Sequence, residues 1–288
     1  METGGESLKS KKTIGLALGG GGVRGLAHIP VLELLDELGL RPAAIAGTSM
    51  GAVIGALYSS GMSGADIRRL VWEHTIHHSH GLKEVIEQGS TLLEWVTSML
   101  PEIHRGGLVN VDRFLGKLLG KVGEGDFEHL EIPLYVVATD FWRSNQVVLE
   151  SGPVLQAVRA SLAVPGVFAP VKVEGRVLFD GGVVNNLPYD LLTGWLDVVI
   201  AVNVRSERTP GTHSVPSTVD SIMGALDIMQ AEALARKLEI SAPDIMINHT
   251  VRDVGMLEFV RSAEVLDGSA CLKAELRGRL AAAGLIPV

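Results

Sequence analysis

The chain has 288 residues, 47% of them hydrophobic and 20% charged, a globular composition with material for a sizeable core. Its 25 Lys and Arg against 33 Asp and Glu leave a formal charge of −8, so no nucleic-acid partner is expected. A single cysteine, Cys271, excludes an intramolecular disulfide framework, and no run of about 18 apolar residues offers a transmembrane helix.

Residues 1–12 are polar, lack a signal-peptide apolar region and read as a flexible lead-in to one domain over 13–288, expected to be cytoplasmic. Thr13 to Leu18 is a short apolar run ending in Gly19–Gly22, the pattern of a buried strand opening into a glycine loop. From Val23 to Leu38, apolar residues recur at helical spacing and Gly39 is placed to stop the helix; Pro30 demands a late start or a kink. A second strand, Ala43 to Ala46, leads into Gly47-Thr48-Ser49-Met50-Gly51 and a helix over 50–60 that Gly61 ends. Strand, loop and helix, repeated twice before Gly61, are the grammar of a parallel, helix-covered sheet.

Residues 64–120 are helical in pattern. Further strands are expected at Ile132–Ala138, Gln146–Leu149, Arg176–Phe179, Val198–Val204 and Asp244–Ile247. Helices are expected over 153–162, 217–240 and 262–283, with a loop over 205–217. The fold class is α/β: a single three-layer domain, its sheet mainly parallel, with helices on both faces.

Gly47-Thr48-Ser49-Met50-Gly51 is G-x-S-x-G between a strand and a helix, the setting of a nucleophile elbow. The glycines let the chain turn sharply with the Ser49 hydroxyl exposed, and the helix start offers free N–H groups to negative charge. An ordinary strand-to-helix turn has the same pattern. Gly20-Gly21-Gly22-Val23-Arg24-Gly25 fits G-x-G-x-x-G, but no acidic residue ends the second strand as a dinucleotide site requires. Nor does Lys-Ser/Thr follow, as a phosphate loop requires. What remains is a concavity whose amides face an anion, such as the oxyanion of acyl transfer.

Asp180 ends a strand and precedes Gly181-Gly182, which places its carboxylate at the C-terminal edge of the sheet, or else marks a simple turn. Two histidines follow it, His213 in the loop and His249 after a strand, and both stay open as a third member. His74, His77, His78 and His80 read as a solvated cluster rather than a metal site. The apolar stretch 92–100, with Trp95, reads as core, with a lipid-facing lid as the alternative.

In this order, the glycine loop, G-x-S-x-G and D-G-[AG] together resemble the patatin-like phospholipases. The segments Ala157–Ser161, Val164–Phe168 and Asp180–Pro188 add to the resemblance, which runs from about Lys12 to beyond Val204. It implies a Ser49–Asp180 dyad without histidine. The oxyanion hole falls on Gly20, Gly21 and Gly22, with Arg24, Gly25, Gly47, Gly51, Gly181 and Gly182 in support. The implied partner is an acyl-lipid or other ester substrate, hydrolysed through an acyl-enzyme without metal or organic cofactor, with transient peripheral membrane contact. A regulatory or scaffolding protein without turnover is the rival reading, and a nucleotide-binding protein comes third.

Overall fold

A computed structural model describes residues 12–73, 125–209, 215–216 and 218–287. The lead-in up to residue 11, the cluster from His74 to His80, the 92–100 stretch and His213 lie outside the described residues.

Strand β1 (Ile14–Leu18) is followed by a 3₁₀ helix (Gly22–His28) that runs straight into α1 (Ile29–Glu37). Pro30 sits in the first turn of α1, where its missing N–H has no helical partner to lose, so the proline sets where the α-helix starts. Strand β2 (Ala44–Thr48) leads to α2 (Met50–Ser59), and α3 (Gly64–Val71) begins at Ser63, whose hydroxyl accepts from the Asp66 N–H. Beyond residue 124 come β3 (Leu134–Asp140), β4 (Asn145–Leu149), α4 (Val154–Ser161), β5 (Val171–Val173) and β6 (Arg176–Asp180). The chain closes with β7 (Val198–Glu207), α5 (Thr218–Ile240), β8 (Ile245–Arg252), α6 (Ser262–Gly268) and α7 (Leu272–Ala282).

β3, β2, β1, β7 and β8 pair in parallel, in that order, while β4 and β6 pair antiparallel with β3 and β5 pairs antiparallel with β6. Strand alternation separates two faces. Leu16, Leu18, Ile45, Ile200 and Val202 join the large cluster with Leu32, Leu35, Val53, Leu57, Val158 and Leu276 from α1, α2, α4 and α7. On the other face Ala17, Ala44, Ala46 and Ala201 meet Leu187, Tyr189 and Leu192, with Leu234 and Leu238 of α5 against them. Small residues there let the covering chain lie close: a Cβ on Gly15 would stand 2.7 Å from Leu196 Cδ1. The sheet is therefore the middle of three layers.

Three expectations need correction. Arg205 to Glu207 continue β7 rather than opening the loop, because β8 pairs with them out to Arg252. The closing helix is two helices, broken at Ser269–Cys271, where the Ser269 hydroxyl donates to Leu266 O. Strand β5 lies where no strand is expected; its three residues are too few to show alternation.

The register around β3 decides where the chemistry lies. Val136 and Val137 pair with both β2 and β4, whereas Ala138 to Asp140 pair with both β4 and β6. A strand has two edges, so with β4 along one, β2 and β6 must share the other. They run towards each other: Thr48 ends opposite Val137, and Asp180 ends opposite Ala138, the next residue. The C-termini of two strands thus meet head-on.

Candidate active site

Ser49 alone makes the turn between β2 and α2, at φ 53° and ψ −123°. For a residue other than glycine, such backbone costs about 1–3 kcal/mol and persists only where its surroundings fix it. Part of that fixing comes from Ser161 at the end of α4. Its hydroxyl accepts the Ser49 N–H at 2.8 Å and donates to Val137 O at 2.6 Å. Close approach supplies the rest. A Cβ on Gly51 would fall 2.1 Å from Leu18 O, and one on Gly47 would fall 2.7 Å from Ala52 Cα, so α2 crosses the end of β1 only because both are glycine.

Asp180 arrives from the opposite direction to β2, which corrects the expectation that it shares the C-terminal edge of parallel strands. Its main chain is held by Ala163 O, which accepts the Asp180 N–H at 2.9 Å, and by Thr139 Oγ1, which donates to Asp180 O at 2.8 Å. The carboxylate accepts from the Gly182 N–H at 2.7 Å, and the Ser49 hydroxyl beside it favours its charged form. Gly181 lies so close to β3 that a Cβ would meet Val137 O at 2.2 Å. Burial pushes the Asp180 pKa up to about 6, against the Ser49 hydroxyl and the Gly182 N–H, which favour its charged form.

The glycine loop closes the third side. Gly20 does not offer its amide: the N–H donates to Asn186 O at 3.0 Å, because the chain keeps strand-like bonding for two residues past β1. What Gly20 supplies is room, since a Cβ would be 3.1 Å from Ser49 Cβ. Among the described residues no hydrogen bond takes the N–H of Gly21 or Gly22. Gly22 has φ 59°, and a Cβ there would lie 2.1 Å from Met256 O. Gly25 leaves room for Met50, whose Cγ would be 2.6 Å from an added Cβ.

Arg24 is buried and does not reach into the cleft. Its Nε donates to Gly21 O at 3.0 Å, and its guanidinium pairs with Asp227 of α5, at 2.7 Å for the shorter contact. A trans peptide puts its N–H opposite its C=O, so gripping Gly21 O turns the Gly22 N–H the other way.

The cleft, about 290 Å³ with the solvent at its mouth included, has Gly21, Ser49 and Asp180 among its lining residues. Val164, Val183, Leu226 and Met256 give it apolar walls. His249 sits on β8 opposite Val204; among the described residues no hydrogen bond joins it to Ser49 or Asp180. No metal-ligating cluster occurs among the described residues. Sequence reading missed the parts played by Ser161, Asn186 and Asp227. Ser161 and Asn186 lie inside the matching segments, but only the folded contacts give them work.

The fold thus brings together a serine strained at a strand–helix elbow, a buried carboxylate and open amides at one end of a mainly parallel α/β sheet. The model of the patatin-like phospholipase family matches residues 16–193. An uncharacterised NTE family protein of Mycobacterium tuberculosis is 36% identical over 210 residues, covering 72% of this chain and 54% of its own. Patatin-like phospholipase domain-containing protein 6 of Mus musculus is 34% identical over 198 residues, 68% of this chain and 14% of its own length. The chain belongs to the patatin-like phospholipase family. It matches about half the length of this mycobacterial relative. VipD from Legionella pneumophila shares the fold, with a TM-score of 0.50 at 16% identity, covering 92% of this chain and 66% of its own. No helix among the described residues is long and apolar enough to cross a membrane.

Proposed function

We propose that this protein hydrolyses carboxylic esters of acyl lipids, with Ser49 as nucleophile and Asp180 as general base. The observation that carries the reading is Ser49, strained in its backbone at the elbow, lining one apolar-walled cleft together with the buried Asp180 carboxylate. Ser49 Oγ attacks the ester carbonyl carbon while its proton passes to Asp180. The carbonyl oxygen becomes an oxyanion, for which the Gly21 and Gly22 N–H groups are the open donors. Collapse expels the alcohol, which takes the proton back from Asp180 and leaves an acyl-enzyme. Water then gives its proton to Asp180 as it attacks the acyl carbon, and collapse of that second intermediate returns the proton to Ser49.

A carboxyl pKa near 6 suits this work, being a stronger base than a free aspartate yet still ionised at neutral pH. Phe141 and Trp142, 51% and 76% exposed at the β3–β4 turn, give transient contact with aggregated lipid an apolar surface.

The test is labelling with a fluorophosphonate, mapping of the adduct, and turnover of p-nitrophenyl esters of graded chain length. Ser49→Ala should abolish labelling and lower turnover by about three or more orders of magnitude in a folded protein. Labelling that persists at another serine moves the nucleophile elsewhere. A folded wild-type protein that neither labels nor turns over any ester is the outcome a regulatory protein gives.

A further inference from the structure

His28 ends the 3₁₀ helix and is 0% exposed. Its Nε2 lies 2.8 Å from Gly19 O, and a carbonyl oxygen only accepts, so Nε2 carries the proton. Nδ1 is then a bare acceptor, and it is buried without a partner. Leaving such a group unpaired destabilises the fold, so an apolar side chain of similar size would serve the core better. The histidine must therefore be explained by the one polar contact it makes.

That contact falls on a decisive peptide. Gly19 N–H still donates to Val202 O at 3.0 Å, in line with β1, and the next peptide plane is where the chain leaves the sheet. This plane is held at both ends, its oxygen by His28 and its N–H, from Gly20, by Asn186 O. The following planes carry the open amides of Gly21 and Gly22. Glycine imposes no steric preference on their direction, so hydrogen bonds must set it. Arg24, through Gly21 O, grips the plane that carries the Gly22 N–H; Asn186 Nδ2 donates at 3.5 Å to Gly20 O on the plane that carries the Gly21 N–H; and His28 grips the plane before both.

We propose that His28 is a positioning residue, whose neutral imidazole fixes the Gly19–Gly20 peptide and so aims the Gly21 and Gly22 amides at the oxyanion. The proposal rests on the reading of Ser49 as nucleophile. His28 touches no reacting atom; it acts through the main chain. Burial, with His249 nearby opposing a second positive charge, holds its pKa down to about 4 and keeps the ring neutral under working conditions.

The experiment compares His28→Gln with His28→Met. Glutamine carries a donor near the position of the imidazole Nε2, and methionine fills the space without one. The readouts are kcat and KM on p-nitrophenyl butyrate, the rate of fluorophosphonate labelling at Ser49, and Tm. The Met variant should fold with a Tm within a few degrees of wild type, yet lose about 10- to 100-fold in kcat and in labelling rate. Its KM should change far less, because misaimed donors act on the transition state rather than on ester binding. The Gln variant should keep kcat within about fivefold of wild type on the same ground, that the Gly19 plane stays aimed.

If His28→Met does not fold, His28→Asn replaces it, its amide being one carbon too short to reach Gly19 O. A folded variant without the donor but with wild-type kcat overturns the proposal. So does equal loss in the Gln and donor-less variants. If wild-type protein takes no label at Ser49, the nucleophile reading itself fails; labelling at Ser49 at equal rates in every variant leaves that reading standing and removes His28 from it.

Discussion

At the scale of single residues, the site buries two titratable groups whose pKa values move towards each other. Asp180 rises from 3.8 to about 6, and His28 falls from 6.5 to about 4. For Asp180 the folded state holds its proton longer than the unfolded chain does. The stability it contributes is therefore full below about 3.8 and lost as pH rises through about 6, a cost of about 3 kcal/mol at neutral pH. His28 has the opposite sign: its contribution is present above 6.5 and lost as pH falls through about 4. In the wild type each slope masks the other. Asp180→Asn should unmask the His28 slope, since Asn keeps the shape and remains neutral. Its Tm should match wild type near pH 4 and exceed it by several degrees above pH 6.5, while turnover falls by about three orders of magnitude or more. Thermal melts across that range check it. An Asn variant less stable than wild type at pH 7 would show that Asp180 is held by more than its proton.

At the scale of elements, the strand-to-helix signals were legible because they are local. β1, β2 and α2 declare themselves by period, by glycines and by the serine between them, and Pro30 announced the late start of α1. What could not be read was which strand lies beside which. Asp180 was legible as a carboxylate at a strand end, but its head-on approach to Thr48 exists only through their common edge on β3. Ser161 is hidden for the same reason, since as the last residue of α4 it has no sequence tie to Ser49. Removing its hydroxyl by Ser161→Ala leaves the Ser49 N–H and Val137 O unpaired in a buried place, at about 1–3 kcal/mol for each group. The expected result is a Tm lower by several degrees and turnover lower by about tenfold or more, as the strained elbow relaxes. A calorimetric scan and a kcat measurement suffice. An Ala variant with wild-type values for both would mean that the elbow holds itself.

At the scale of the whole molecule, the residues that match the family model are not enough to make the site stand. Residues 16–193 contain Ser49, Asp180 and the glycine loop, yet several of the loop's anchors come from beyond them. Val202 O takes the Gly19 N–H, Met256 O takes the Val23 N–H at 2.9 Å, and Asp227 pairs with Arg24. Val204 Cγ2 packs so close to Gly21 that a Cβ would come within 2.7 Å. β7 also covers the whole free edge of β1, from Ile14 opposite Val198 to Leu18 opposite Val202. A chain ending at Thr193 would expose the unpaired edge of a fully buried apolar strand, which is a template for aggregation. It would also leave Arg24, buried beside the loop, without its carboxylate, the kind of loss that costs about 3–5 kcal/mol. A chain of residues 12–193 should therefore aggregate or remain unfolded and take no fluorophosphonate, although every residue of the proposed dyad and its open amides is present. Far-ultraviolet circular dichroism, size-exclusion chromatography and labelling of the two lengths side by side make the comparison. A shortened chain that stays monomeric and labels at Ser49 at the wild-type rate would show that the glycine loop holds its shape without β7, α5 and Met256.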